Sequence, residues 1–377
     1  MNDKIVNTDY DVLYLVKCGI NEQIPDKSRI EKMNLDEVYE KSKFHSLVSL
    51  VSLTLESAGI VLSSEWKQAK EKVIRKLILF EAERAQILKY FEDNGIWHMS
   101  LKGIYLKDYY PKFGMREMTD NDILYDRAFQ QQVYDFMTAR GYHCELLAKN
   151  NHDEYLKQPI YNFELHTGLA NKSTALAYKY YKNVKDRLVL KENRKFEYNF
   201  TDEDFYIYIT FHEYKHYTVS GTGLRSLVDT YLYLKKMEDK LDWRYIEKEC
   251  KKLNMWEFEN QNRLLSQKLF GEKPLSEDEK QMLERFLVSG TYGSFENEIK
   301  NRINATYDKS RKNYKFKYVL RRLFPPMLVF KIGYPFCYKT KVLIPVAWVM
   351  RLFRGIFVDR KKISSELKIL NKEEINK

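Results

Sequence analysis

Apolar residues change their spacing twice along this chain, and that change constrains the fold more than composition does. From about residue 35 to 92 they recur at helical intervals. Phe44, Leu47, Leu50, Val51 and Leu53 form one stripe, and Val73, Leu77, Phe80 and Ile87 form another. Asn94-Gly95 closes the second stretch, because Gly just past a helix accepts the left-handed turn most residues avoid. Short apolar runs follow. Ile96 to Met99, Ile123 to Tyr125, Tyr142 to Leu147 and Tyr161 to His166 read as strands. Between them, a brief helix through Ile104 and Leu106 ends before Pro111, and a longer one from Arg127 to Arg140 is stopped by Gly141. Strands alternating with helices over roughly 95–200 predict a small α/β unit. From Thr201 helical spacing returns in Leu224, Leu227, Val228, Tyr231 and Leu234, and Ser276 with Glu279 predicts a capping box. The expected division is a helical region over 1–93, a mixed core over 94–200, a helical domain over 201–310 and a basic tail over 311–377.

A chain of 377 residues with 31% charged and 15% aromatic side chains can bury a large core and suits a folded protein. Four cysteines (Cys18, Cys144, Cys250, Cys337) show no metal-ligand spacing, and the N-terminus lacks a basic-then-apolar leader. The expectation is a reducing, cytoplasmic setting. Between Arg311 and Lys362 there are fourteen Lys or Arg against one acid, Asp359. That excess is larger than the net +11 of the whole chain, so the remainder is slightly acidic. A nucleic-acid enzyme more often spreads its basic residues around a cleft, which makes nucleic acid the less favoured partner. The longest apolar run in the tail, Val342 to Met350, is broken by Pro345 and falls far short of the about 20 residues that span a bilayer. Two readings remain for residues 311–362. They lie on an anionic membrane surface, with Trp348 and its apolar neighbours inserted, or they form a basic hairpin packed on the body of the protein. The first reading places the protein at the inner membrane face as a peripheral protein.

Asp120-Asn121-Asp122 spaces two carboxylates at i and i+2. On a strand both project from one face, about 7 Å apart. One short strand can then grip two Mg²⁺ ions about 4 Å apart, an arrangement that activates a hydroxyl and steadies a leaving phosphate. The spacing is not unique here. Thr8-Asp9-Tyr10-Asp11 and Thr201-Asp202-Glu203-Asp204 share its form and read as helix starts, with Thr as N-cap. The alternative for Thr119 to Asp122 is therefore another N-cap, opening one helix as far as Arg140. Context favours the strand. Upstream, Lys102-Gly103 sits at a strand-to-helix junction, where Gly lets backbone amides approach a phosphate. Downstream, Tyr161, Phe163 and Leu165 alternate with Asn162, Glu164 and His166. With the apolar set inward, Glu164 and His166 face the site together.

Together these residues resemble a family. The string Leu101-Lys102-Gly103, Tyr110-Pro111, Arg116, Asp120-x-Asp122 and Glu164-Leu165-His166 is similar to uncharacterised bacterial nucleotidyltransferases of the DNA polymerase beta superfamily. His216, Gly221-Thr222-Gly223 and Leu224-Arg225-Ser226-Leu227-Val228-Asp229 resemble that family's helical segment. The resemblance runs over roughly 35 to 350 and is specific from 101 to 166. It implies an α+β fold, a minimal polymerase beta-like mixed sheet with helical extensions on both sides, and Asp120, Asp122 and Glu164 as ligands of two Mg²⁺ ions. Two departures stand out. Asn121 replaces the usual apolar residue between the aspartates, and Lys102-Gly103 stands where the superfamily has Gly-Ser.

The expected chemistry is transfer of a nucleotidyl group from an NTP to an acceptor hydroxyl on a small molecule, glycan or protein. Lys102 and Gly103 would hold the triphosphate. Arg116 would either neutralise the leaving pyrophosphate or serve as a structural ion-pair partner. His166 would orient Glu164 or meet the acceptor, and His216, Arg225 and Asp229 would line the acceptor side or make core polar contacts. The competing expectation keeps the fold without the chemistry, as a nucleotide-binding or membrane-surface scaffold.

Overall fold

Helical spacing in the first ninety residues produces α1 (Asn7–Ile20), α2 (Lys27–Ile30), α3 (Leu35–Phe44), α4 (Val48–Ser57) and the long α5 (Ser64–Asp93). The structure is a computed structural model. It describes residues 7–144, 147–148, 151–171, 174–291, 293, 298–299, 301, 314–327, 329–330, 334–357 and 360–372. α5 stops where expected, with Gly95 at φ 71° just beyond it. Thr8 lies inside α1 rather than capping it, because its hydroxyl instead donates to Glu37 (2.6 Å).

Strand β1 (His98–Ser100), the one-turn helix α6 (Gly103–Leu106), β2 (Asn121–Tyr125), α7 (Gln130–Ala139), β3 (His143–Cys144), β4 (His152–Lys157) and β5 (Tyr161–His166) follow. The remainder of the expected Tyr142–Leu147 strand includes residues 145–146, outside the described residues. Strand β4 was not expected. Its start, His152-Asp153-Glu154, is too polar to read as a strand, yet β4 pairs along the whole of β5. The five strands run in the order β1-β2-β5-β4-β3. β2 and β5 are parallel, and every other pair is antiparallel. The fold class is α+β with a small mixed sheet.

Period-two alternation sorts each central strand onto two faces. Ile123, Tyr125, Phe163 and Leu165 pack with Leu77, Ile87 and Phe91 of α5 and Val133 and Met137 of α7. Leu124 packs on the other side, with Met99, Leu101 and residues of the helices that follow the sheet. Those helices are α8 (Ala175–Tyr180), α9 (Asp202–Val219), α10 (Leu224–Met237), α11 (Trp243–Lys252), α12 (Trp256–Phe270) and α13 (Glu277–Ser289), with a small hairpin of β6 (Leu188–Leu190) and β7 (Tyr198–Phe200). Thr201 accepts the N–H of Asp204 and so caps α9, and α13 opens on the Ser276–Glu279 capping box.

The chain divides into two compact units, Lys4–Lys215 with Thr222–Thr291, and His216–Gly221 with Met1–Asp3 and Tyr292–Lys377. The second contains α14 (Tyr314–Leu323), α15 (Pro335–Lys339), α16 (Ile344–Phe357) and α17 (Arg360–Lys372). Pro345 sits in the first turn of α16, where its missing N–H has no helical partner to lose. Among the described residues no helix is long and apolar enough to cross a membrane.

Candidate active site

Residues 121 to 125 form a strand because β5 pairs with 121–124 and β1 with 123–125, so the N-cap alternative for Thr119 to Asp122 does not hold. In the parallel register Asp122 lies directly beside Glu164, and Leu124 beside His166. The i+2 spacing on β5 then brings His166 over the same face. Asp122, Glu164 and His166 each offer a ligand atom, and these atoms lie within 4.8 Å of one another. His166 Nε2 is 2.8 Å from Asp122 Oδ1 and 3.5 Å from Glu164 Oε2. The tight trio thus contains His166 beside the expected Asp122 and Glu164. Asp120, one residue before β2, stands outside it but interacts electrostatically with Asp122 and Glu164.

Lys102 reaches the trio through the backbone. Leu101 N–H donates to the Asp122 carbonyl (2.9 Å), which sets residue 102 level with the carboxylate. Lys102 then takes φ 46°, a left-handed conformation that costs a non-glycine residue about 1–3 kcal/mol, and its Nζ meets Asp122 Oδ1 at 2.7 Å. Burial opposes the Lys102 charge, but Asp122, with Tyr208, Asp120 and Glu164 behind it, outweighs burial and holds the ammonium above its ordinary range. Burial likewise opposes ionisation of Asp122, while Lys102 and His166 hold its carboxyl well below the usual carboxylate range. Asp120 goes the other way, pushed up to about 6 by burial first and by the Asp122 charge second. Two carboxyls two residues apart are thus driven in opposite directions, a pattern that marks functional sites.

The remaining expected residues are distributed differently. Gly103 is buried against Arg116: a Cβ there would lie 2.4 Å from Arg116 Nη1. Its lack of a side chain makes room for a guanidinium, and the one-turn α6 behind it contributes little helix dipole. Arg116 Nε and Nη2 donate to Asp229 Oδ1 and Oδ2, each at 2.8 Å, and Tyr110 donates to the same carboxylate (2.8 Å). The ion-pair alternative for Arg116 is what the geometry provides, with Asp229 as its partner. Arg225 Nη1 donates to the Glu117 carbonyl (3.1 Å), and its charge acts on Asp120. His216 belongs to the other compact unit, in the last turn of α9.

Asn121 faces away from the site. Being odd in the strand, it points toward α5, where Arg84 Nη1 donates to its Oδ1 (2.8 Å); its Nδ2 has no partner among the described residues. Other neighbours carry no sequence signal. His152 pairs with His166 across β4 and β5, with ring centroids 5.1 Å apart. Tyr208 and Lys215, seven residues apart on α9, act electrostatically on or with Lys102, Asp122 and Glu164. Lys76 of α5 donates to the Thr119 carbonyl (3.0 Å) and interacts electrostatically with Asp120.

Clustered carboxylates with an imidazole and a lysine, on and beside the adjacent strands β2 and β5 of a small mixed sheet, make an arrangement suited to group transfer on phosphates. The family described as uncharacterised nucleotidyltransferase matches residues 31–271, and the chain belongs to that family. The match begins near the start of the expected resemblance but ends at 271 rather than about 350, leaving the tail outside it. Comparison with curated proteins and with solved structures gives no match.

Proposed function

We propose that the chain moves an NMP group from a nucleoside triphosphate to an acceptor hydroxyl, using Mg²⁺ held by Asp120, Asp122 and Glu164 at a polymerase beta-like site. The reading is carried by the register that sets Asp122 beside Glu164 on parallel strands, with ligand atoms of both and of His166 within 4.8 Å. The neighbouring carboxylates of Asp122 and Glu164 are hard oxygen donors of the kind Mg²⁺ takes. When bound, Mg²⁺ supplies Lewis-acid stabilisation of charge on the phosphates and on the attacking oxygen. Lys102 keeps Asp122 ionised and offers an ammonium to the triphosphate. Glu164 is the more open of the two strand carboxylates, its side chain 23% exposed against 4% for Asp122, so it suits contact with an acceptor and acceptance of its proton. His166 stands between Asp122 and Glu164 and positions both.

The rival, a scaffold with a decayed site, drew its support from Asn121. The Asn121 side chain lies on the α5 side of the strand, bonded to Arg84, so it does not intrude on the carboxylates. The test is a screen of the four NTPs with Mg²⁺, following labelled nucleotide into acceptor and release of pyrophosphate. Asp122→Asn is expected to lower turnover more than about 100-fold, beyond the loss typical for partners outside the ligand shell, and chelation with EDTA to abolish it reversibly. Tight NTP binding with no pyrophosphate release, or equal label uptake by wild type and Asp122→Asn, would favour the scaffold.

A further inference from the structure

The helices of the smaller unit have an interior. Tyr318 and Arg322 of α14 both donate to Glu366 of α17, the latter at 2.8 Å, and Glu366 is 4% exposed. Trp348 of α16 donates to the Leu323 carbonyl (2.7 Å) and stacks on Phe324. Ala347, beside Trp348, is fully buried. With that interior in place, a second set of apolar side chains faces solvent.

On α16, Val346, Val349, Met350, Phe353 and Phe357 recur at three- and four-residue intervals and are between 43% and 73% exposed. Phe316, Leu320 and Leu323 repeat the pattern on α14. Ile363 and Leu367 do so on α17. Single exposed apolar residues are ordinary, but helical stripes of them on three helices are not. Exposed cations lie among them, including Arg321, Lys339, Lys341 and Arg360. The segment as a whole carries fourteen Lys or Arg against one acid between 311 and 362.

Charge selects the occupant. A second copy would bring two strongly positive tails together. A nucleic acid would satisfy the cations and leave Phe353 and Phe357 in water. An anionic bilayer answers both features, because headgroup phosphates take Arg and Lys while the rings enter the acyl boundary. We propose that the smaller unit docks on the surface of an anionic phospholipid bilayer through these stripes, without crossing it.

The test uses the full chain in flotation with vesicles of phosphatidylcholine alone and of phosphatidylcholine mixed with phosphatidylglycerol. Expected is flotation with the mixed vesicles only, weakened by added salt. Combined Met350→Asp, Phe353→Asp and Phe357→Asp substitution should lower partitioning more than about tenfold, since each ring and thioether withdraws from the acyl boundary. These side chains are exposed, so the variant's circular dichroism and melting should match wild type. The paired vesicle compositions test the wild type independently of that variant. No flotation with either composition, equal flotation with both, or flotation unchanged in the triple variant overturns the proposal. So does a stable dimer, dissolved by the same substitutions, in a chain that binds no vesicles.

Discussion

Arg116 and Asp229 lie 113 residues apart in sequence and form a buried two-pronged ion pair, with Tyr110 on the same carboxylate. A buried guanidinium without its partner is costly, so Asp229→Asn should destabilise the fold by about 3 kcal/mol in urea titrations. Unchanged stability with weakened NTP binding would instead return Arg116 to the phosphates. His45 supports a pH prediction. It is buried at the end of α3 and accepts the N–H of Leu224 on Nδ1, and burial pushes its imidazole down to about 3. Below the ordinary value of 6.5 the unfolded chain therefore binds a proton that the fold refuses, and stability falls as pH drops from 6.5 toward 3. From pH 7 to 5 the loss from this group is about 2 kcal/mol. Glu213, pushed up to about 7 by burial, acts oppositely as pH rises from 4.5 to 7. The comparison with His45→Asn isolates the histidine, and its acid-induced loss of stability should be smaller by that amount.

At the scale of elements, the junction between β1 and α6 sets the site. Leu101 pairs with β2, Lys102 turns left-handed, and Gly103 yields its side-chain space to Arg116. Gly103→Ala would drive a methyl against a guanidinium already fixed by Asp229. It should cost about 1–3 kcal/mol and displace Lys102 from Asp122. Melting curves and Mg²⁺ titration of this variant check both effects; wild-type stability would mean that Arg116 yields freely. The same junction explains why Lys102 and Gly103 were legible as a pair while the packing of Arg116 against Gly103 was not. The turn is local, but its occupant is a guanidinium from thirteen residues on.

For the whole molecule, the division into two compact units predicts that unfolding is not two-state. The smaller unit has short helices with much apolar surface in solvent, so it should unfold first. Calorimetry should show two transitions, the lower one raised by anionic vesicles if the bilayer proposal holds. A single transition with matching calorimetric and van't Hoff enthalpies would refute the division as a thermodynamic fact.

Spacing alone determined most of the elements. The stripes of α5 and α10, the stop at Asn94-Gly95, the capping box of α13 and the alternation that turns Glu164 and His166 away from Phe163 and Leu165 all obey rules that act within a few residues. The tertiary structure decided what such rules leave degenerate. Thr119-Asp120-Asn121-Asp122 resembles two helix starts in the same chain, and it was pairing with distant segments, β5 some forty residues on and β1, that made a strand from Asn121 onward, with Asp120 just before it. His152 entered the site through a polar strand that its neighbour held in place, and Asn121 was made harmless by an arginine from α5. Local propensity selects among a few backbone conformations, whereas hydrogen bonds and charges between distant segments have energies of the same size and settle the choice.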